Sequence, residues 1–250
     1  EGTLQLYVLS SIRNQPVEDA SVQISYTGDP DSVIEEVKTD ANGMIPEIQL
    51  PAPPLEYSMA PSEYQPYAEY TFRISKEGFD DLDISGAEIL PDATAIQRAV
   101  LSPQAAPGAF EDIVIPAHTL YGEYPEKIPE DEIKPMDTSG EIVLSRVVIP
   151  EYVVVHDGSP NDSTARDYYV RYRDYIKNVA SSEIYATWPD NTIRANVLAI
   201  MSFTLNRVYT EWYRNKGYDF TITSSTAFDH KWMYGRNIFE SRSEERRVGK

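Results

Sequence analysis

The chain has 250 residues, 41% of them hydrophobic, and carries 40 acidic against 22 basic side chains for a net charge of −18. The absence of cysteine excludes disulfides, a thiol nucleophile and cysteine-based metal sites, and the acidic charge disfavours a nucleic-acid partner. No segment approaches the ~20 apolar residues of a membrane span. Residues 1–150 hold 27 acidic and 8 basic side chains, whereas residues 151–250 hold 13 and 14. This asymmetry predicts two regions with different roles.

Residues 1–103 are predicted to form short strands separated by turns. Apolar Leu4, Leu6 and Val8 alternate with polar residues in the segment Thr3–Ser10. Similar patterns predict six further strands: Ala20–Tyr26, Val33–Thr39, Met44–Leu50, Glu69–Lys76, Leu82–Ala87 and Thr94–Leu101. Seven strands at this spacing favour a small antiparallel β-sandwich. The segment Asp40-Ala41-Asn42-Gly43 predicts a turn rather than a calcium loop, because further oxygen ligands do not follow at the required spacing.

The order of motifs in this region has a known counterpart. Pro16-Val17-Glu18-Asp19-Ala20-Ser21-Val22 is followed by Thr39-Asp40-Ala41-Asn42-Gly43 and then by Tyr70-Thr71-Phe72-Arg73-Ile74. This order resembles the carboxypeptidase regulatory-like, or transthyretin-like, β-sandwich over about residues 1–103. The resemblance implies a non-catalytic module.

Residues 104–144 are predicted to be a connector. Prolines recur through this segment and acidic residues cluster between Glu123 and Glu132, and both features favour an extended, exposed chain. At the end of this connector, the segment Ile142–Val148 is apolar enough to form a strand.

Residues 145–241 have helical patterns. Tyr168–Ile184 is predicted to be a helix, and Thr187-Trp188-Pro189-Asp190 predicts the start of a second one because a capping threonine precedes a first-turn proline. The second helix is expected to run about two dozen residues to a stop at Gly217, with an apolar stripe wide enough to be largely buried. The chain is therefore predicted to be α+β, with a sandwich followed by a mainly helical region.

Glu183 is the carboxylate singled out as a candidate general acid. It lies between Ser182 and Ile184, with Tyr185 and Trp188 close behind. A carboxyl group set against such side chains loses hydration, which raises its pKa. A raised pKa suits the protonation of a glycosidic oxygen near neutral pH.

Two pairs, Ser182-Glu183 and Trp188-Pro189, are followed by Ala195 and by the downstream block Thr221–Gly235. These positions resemble the motifs of the SpoIID/LytB-type domain. Three segments, Ala180–Tyr185, Thr210–Arg214 and Tyr234–Glu240, most closely resemble spore-cortex-lytic enzymes of the SleC type. The resemblance covers about residues 145–240. It implies cleavage of peptidoglycan glycan strands, in the spore cortex of a Gram-positive spore former and outside the cytoplasm, by a lytic transglycosylase.

The resemblance also implies the roles of particular residues. Glu183 would act as both acid and base, since the muramyl C6 hydroxyl can serve as an internal nucleophile and a second carboxylate is not required. Asp190 and Asp229 stay open as partner acids. Some relatives hold a metal through cysteine and histidine, which this sequence does not support, so no metal or cofactor is expected. The expected substrate-binding residues are Ser182, Tyr185, Trp188, Ser225, Asp229, Trp232 and Tyr234.

The last nine residues of the chain match the translation of a known DNA sequence. The residues Arg242-Ser243-Glu244-Glu245-Arg246-Arg247-Val248-Gly249-Lys250 are the translation, codon by codon, of the sequencing-adapter DNA AGATCGGAAGAGCGTCGTGTAGGGAAA. We therefore expect residues 242–250 to be an adapter artefact. The catalytic domain would then be truncated, and this fragment inactive.

Two further expectations concern partners and regulation. SleC-type enzymes are made as precursors that a serine protease activates, which leads us to expect cleavage between about Ser139 and Tyr152. The competing account is that the sandwich stays attached as a targeting module and that the connector only sets its reach. The alternative function is a non-catalytic wall-binding or adhesion module with a degenerate catalytic region.

Overall fold

The computed structural model describes residues 1–129 and 148–240, so the predicted strand Ile142–Val148 and the adapter-like residues 242–250 lie wholly or mostly outside the described residues. The strands are β1 (Gly2–Ser10), β2 (Ser21–Tyr26), β3 (Asp29–Lys38), β4 (Ile48–Leu50), β5 (Ala68–Ser75), β6 (Asp81–Ile89), β7 (Thr94–Leu101), β8 (Phe110–Val114), β9 (Tyr152–His156), β10 (Asp167–Arg171), β11 (Ile222–Thr223) and β12 (Ile238–Glu240). The helices are α1 (Glu56–Met59), α2 (Tyr172–Glu183) and α3 (Asp190–Tyr209), with a 3₁₀ turn at Arg214–Lys216.

The chain forms two compact units, and each of them draws on separate stretches of sequence. Unit 1 contains Glu1–Gly122, Ser181–Asn196 and the described residues from Met233 onward, whereas unit 2 contains Glu123–Ala180 and Val197–Trp232. Residues that are distant in the sequence thus lie in the same unit. The boundaries predicted from the sequence at residues 103, 144 and 241 stay predictions.

Unit 1 contains a β-sandwich of two sheets. One sheet has the strand order β12-β7-β1-β4 and the other has the order β3-β2-β5-β6-β8. Every second residue of β1 is buried, as the alternation of Leu4, Leu6 and Val8 predicts. These side chains pack in one core with residues of the second sheet such as Ile24 and Phe72.

The expectation of a wholly antiparallel sandwich is wrong for two strand pairs. β1 pairs with β7 in parallel over eight residue pairs, and β6 pairs with β8 in parallel. The strands of each pair are not joined by a tight turn, so the hairpin rule that enforces antiparallel pairing does not apply to them. β8 also lies inside the predicted connector 104–144, which means that residues 110–114 belong to the sheet.

The turn predicted at Asp40–Gly43 is confirmed. The Gly43 amide donates to the Asp40 carbonyl at 2.9 Å, and an Asp40 carboxylate oxygen accepts from the amides of Asn42 and Met44. Gly43 has a φ of +72°, and a Cβ there would lie 2.4 Å from the carbonyl oxygen of Val8. Only glycine fits this position.

Unit 2 contains a three-stranded sheet with the order β10-β9-β11 and most of α2 and α3. Its core combines strand residues such as Val153, Val155 and Ile222 with helix residues such as Tyr175 and Val179.

The two helix predictions need correction. Tyr168–Arg171 lies in β10, because its side chains alternate between partly buried and exposed along the strand, so α2 begins only at Tyr172.

α3 begins at Asp190, within the predicted start segment Thr187–Asp190, but Thr187, the expected cap, donates its hydroxyl to Ser58 Oγ at 2.8 Å. The helix ends at Tyr209 rather than near Gly217 and buries only Ile200, Thr204 and Arg207. The predicted apolar stripe packs against the core of unit 2 through Ile200 and the partly buried Val197, Met201, Leu205 and Val208. The expectation of a largely buried stripe is met only in part, because Ile200 is the only one of these five that is buried rather than partly buried.

Candidate functional site

Glu183 is the last residue of α2 and is partly buried. Its neighbours Ser182 and Ile184 are buried on either side of it. The chain then turns through Tyr185 to Pro189 before α3 begins. Glu183 thus lies at the junction between a helix end and a short loop, within unit 1.

Hydrogen bonds fix the backbone before Glu183. The Ser181 carbonyl accepts from Arg236 Nη2 at 2.7 Å and from its Nε at 3.2 Å. The Ser182 carbonyl accepts from the Thr119 hydroxyl at 2.8 Å and from the Thr119 amide at 3.2 Å. Because these are the last carbonyls of a helix, they have no partner within it. Arg236 and Thr119 therefore cap the helix end that carries Glu183.

The loop after Glu183 is held in a similar way. Trp188 Nε1 donates to the Ser58 carbonyl at 2.8 Å, and the Thr187 hydroxyl donates to Ser58 Oγ at 2.8 Å. Tyr185 is buried in a small cluster with Tyr67, Leu90 and Ala93, and Trp188 meets its ring edge-on. Burial, followed by the negative charge of Glu88, raises the pKa of Tyr185 to about 12.

A buried ion pair lies beside this segment. Arg236 Nη2 donates to Glu88 Oε2 at 2.6 Å, and both side chains are almost fully buried. Burial raises the pKa of Glu88 to about 7, although the Arg236 charge opposes the shift. Glu88 Oε1 has no hydrogen-bond partner among the described residues. Glu88 therefore combines a raised pKa with an oxygen, Oε1, that has no hydrogen-bond donor among the described residues. Burying such a group costs folding free energy.

His118 completes the polar surroundings of this segment. Its ring lies 4.4 Å from the Tyr185 ring, and its amide donates to the Tyr67 hydroxyl at 3.0 Å. Burial lowers the pKa of His118 to about 3, with a further contribution from Arg236. His118 is therefore neutral near pH 7 and cannot serve there as a cation.

Glu88, His118 and Arg236 were not predicted from the sequence as residues of this site. One signal was available for Glu88, which is a charged residue inside the otherwise apolar run Ala87-Glu88-Ile89-Leu90. An acid in the middle of a buried strand needs a partner. No pattern in the sequence indicated that this partner would be Arg236.

Unit 2 contains three of the predicted substrate-binding residues, Ser225, Asp229 and Trp232. The placement of Asp229 and Trp232 argues against that role for them. Asp229 is buried, and its Oδ1 accepts from Arg207 Nε at 2.7 Å. Its Oδ2 accepts from the Tyr213 hydroxyl at 2.6 Å and from the Thr223 amide and hydroxyl at 2.9 and 2.7 Å. Both oxygens are thus used by protein donors. Asp229 is a structural acid here and is unsuited to binding a substrate or to acting as a partner acid.

The remaining predicted residues differ in exposure. Trp232 is buried in the core of unit 2 with its ring 5.3 Å from that of Tyr168, so its faces are used in packing. Ser225, also in unit 2, is partly buried. Tyr234 is 40% exposed and lies in unit 1 with Ser182, Glu183, Tyr185 and Trp188. The predicted set is thus divided between the two units.

Among residues 1–129 and 148–240, no group of three or more histidine, cysteine, aspartate or glutamate side chains is placed to hold a metal ion. Within the same residues, no helix combines the length and the apolar character needed to cross a bilayer. A cavity of about 220 Å³ in unit 2 is lined by residues that include Tyr152, Arg207, Tyr213 and Phe220. It contains none of the predicted site residues.

Comparisons with known proteins give no family. No family model matches the chain, and no curated protein matches it. Solved structures that it resembles include the 5-hydroxyisourate hydrolase of Klebsiella pneumoniae, at 16% identity over 41% of this chain and 92% of that one, with a TM-score of 0.29. Transthyretin from Sparus aurata has 16% identity over 40% of this chain and 88% of its own, with a TM-score of 0.26. At such TM-scores these likenesses carry no argument about fold or activity.

Proposed function

We propose that the chain belongs to a peptidoglycan-lytic enzyme that cleaves glycan strands as a lytic transglycosylase, with Glu183 as its single acid and base. The observation that supports this best is the placement of Glu183. It is a partly buried carboxylate at a helix end, beside buried Ile184 and Tyr185, on a backbone capped by Arg236 and Thr119.

This placement suits the proposed chemistry because hydrogen bonds to the Ser181 and Ser182 carbonyls hold the backbone that carries Glu183. A catalytic group held in one place lowers the entropic part of the barrier. Asp229 is committed to Arg207, Tyr213 and Thr223, and a mechanism with one carboxylate needs no second acid from this position.

The finer parts of the proposal rest on the sequence resemblance. They are a transthyretin-like character of the sandwich, a mainly helical SpoIID-type second region, and a location in the cortex or wall of a spore former. An activating serine protease acting between Ser139 and Tyr152 belongs to the same proposal. Peptidoglycan glycan strands are the substrate.

The test uses the intact parent protein on purified spore cortex, with analysis of the released muropeptides. Products with anhydro-muramic ends are expected from the wild type and should be absent with Glu183→Gln. Glu56→Gln, on the exposed surface of α1, is the matched control and should act like the wild type. Reducing muramic ends would point to hydrolysis, and an unchanged product profile with Glu183→Gln would contradict the role of Glu183.

The non-catalytic alternative also has an observation in its favour. Ser182, Tyr185, Asp229 and Trp232 are all buried, although all four were expected to bind substrate. A wall-binding module with a degenerate catalytic region would retain such residues for packing. Sedimentation of the protein with cell walls without any release of sugar would favour this function.

A further inference from the structure

Unit 1 is assembled from stretches that lie far apart in the sequence. The edge of its four-stranded sheet is β12, which pairs antiparallel with β7 through Ile238 with Ile96, Phe239 with Ala95 and Glu240 with Thr94. Met233 and Phe239 pack against the core of the sandwich. The sandwich is therefore incomplete without residues that follow the predicted connector.

Buried polar contacts reinforce this edge. Asn237 Nδ2 donates to the Glu88 carbonyl at 2.9 Å, and Asn237 Oδ1 accepts from the Glu88 amide at 3.1 Å. The Glu88 carboxylate meanwhile binds Arg236, and Gln97 Nε2 donates to the Gly235 carbonyl at 2.9 Å. Arg236 and Asn237 thus satisfy the carboxylate and the backbone groups of Glu88 in β6, which would otherwise be buried without these partners, so their removal is costly. Gly235 adds a second acceptor for Gln97 Nε2, which also donates to the Arg98 carbonyl.

A second stretch binds the same region. Thr187 and Trp188 donate to Ser58, Tyr185 packs beside Tyr67, and Thr119 donates to the carbonyl of Ser182. All these contacts join residues 1–122 to residues 181–196. None of them requires the chain to be continuous between Gly122 and Ser181.

We infer that proteolytic cleavage between Ser139 and Tyr152 does not release the N-terminal sandwich. Residues 1–122 stay bound, without a covalent link, to residues 181–196 and 233–240. The cut product is a two-chain protein. The partner of the sandwich is this chain's own downstream part, because the ladder of β12, the Glu88–Arg236 pair and the Ser58 contacts all persist when the backbone between them is broken. Proteolysis alone then leaves the sandwich against the segment that carries Glu183.

The non-covalent association of the two fragments does not depend on whether the protein cleaves glycans. Its test needs no activity assay. A glycine–serine insert with the recognition sequence of a site-specific protease is placed between Gly140 and Glu141 of the full chain. The insert is lengthened until a denaturing gel shows complete cleavage, and the cut protein is then analysed by size-exclusion chromatography and native mass spectrometry.

One species with the mass of the uncut chain plus the one water added by hydrolysis is expected, with the two fragments separating only in denaturant. Two species that each contain one fragment under native conditions would overturn the inference, and so would precipitation of either fragment after cutting. The number and mass of the species are measured on the cut protein without any substitution in the contacts, so a folding defect of a variant cannot cause the result.

Variants of the cut protein locate the contacts responsible. Arg236→Met removes one partner of a buried, hydrogen-bonded charge pair and should raise the apparent Kd of the fragments at least ~100-fold in a dilution series. Arg194→Met, an exposed arginine in the same unit, is the matched control and should leave it unchanged. Asn237→Ala should raise it ~10-fold. Equal Kd values for the wild type and both buried-site variants would contradict the assignment.

Discussion

Each unit contains a buried arginine–carboxylate pair, and the two pairs differ in how completely they are satisfied. In unit 2, Arg207 lies 2.7 Å from Asp229, and both oxygens of Asp229 accept hydrogen bonds. In unit 1, Arg236 lies 2.6 Å from Glu88, whose second oxygen has no partner among the described residues. Both oxygens of Asp229 thus have hydrogen-bond donors, whereas Glu88 leaves one oxygen without a donor among the described residues and retains part of its desolvation penalty.

The pairs also differ in the length of chain that they span. Arg207 and Asp229 are 22 residues apart, while Arg236 and Glu88 are 148 residues apart. The pair in unit 2 secures a local connection after α3. The pair in unit 1 closes a structure whose pieces come from opposite ends of the described chain. An arginine–carboxylate pair therefore joins nearby residues in unit 2, whereas in unit 1 it joins residues that are far apart in the sequence.

The largest expected effect comes from removing the arginine of unit 2. Arg207→Met should lower the free energy of unfolding by ~3–5 kcal/mol, because it leaves Asp229 buried without its cation. Urea denaturation measures the loss. Arg214→Met, at an exposed arginine of the same unit, should change stability by less than ~0.5 kcal/mol. Equal losses in the two variants would show that the buried pair contributes nothing.

A smaller, pH-dependent loss is expected in unit 1. Arg236→Met should cost ~2–3 kcal/mol at pH 7.5, since Glu88 loses its cation but already has a pKa raised to about 7. A carboxyl group whose pKa is higher in the folded state favours folding below that pKa, because the folded chain then binds the extra proton. Because Arg236 lowers the pKa of Glu88, that pKa rises further in the variant, so acidification stabilises the variant more than the wild type. The loss should therefore shrink at pH 5.5. A loss that grows towards acidic pH would contradict this.

The histidines sharpen the same comparison. Burial lowers the pKa of His230 to about 4, with Lys127 and Arg207 adding to the shift and Asp229 opposing it. Because the unfolded chain binds a proton near pH 6.5 and the folded chain does not, unit 2 should lose ~2 kcal/mol between pH 6.5 and 5. His230→Gln should remove this slope in urea denaturation at the two pH values. The same pH dependence in the variant would refute the assignment.

Unit 1 should respond to the same acidification more weakly. The lowered pKa of His118 destabilises its folded state below about pH 6.5, whereas the raised pKa of Glu88 favours its folded state over much of the same range. The two effects oppose each other down to about pH 4.5, the ordinary value for Glu88. Hydrogen exchange at pH 7 and pH 5 should thus show earlier opening of amides in unit 2.

The smallest expected effect concerns the loop after Glu183. Trp188→Phe removes the donor to the Ser58 carbonyl while keeping most of the ring, and should cost ~1 kcal/mol. Thermal denaturation can measure this against Tyr64→Phe, which removes a hydroxyl from a side chain that is 65% exposed. Equal melting temperatures for both variants would mean that the indole hydrogen bond does not hold the loop.

Local patterns predicted much of the sandwich. The alternation in β1 and the bounds Thr94–Leu101 of β7 agree with the structure because one buried face imposes a period of two on each strand. A helix start within Thr187–Asp190 was predictable from the local sequence, but its first residue, Asp190, was not, because the Thr187 hydroxyl binds Ser58 and the Pro189 carbonyl accepts from the first turn. Predictions failed where a neighbour decides the state, as at Tyr168–Arg171, which pairs with β9 in a sheet.

The sequence by itself determined the elements whose cause lies within a few residues: the period of a strand, the turn at Asp40–Gly43 and the start of a helix. Only the tertiary structure decided that β12 completes a sheet begun by β1, that Glu88 meets Arg236, and that Asp229 is committed to Arg207. The physical reason is that a buried charge or an open strand edge demands a partner without specifying which one. The choice is made by packing the whole chain, and here it joins residues nearly 150 positions apart.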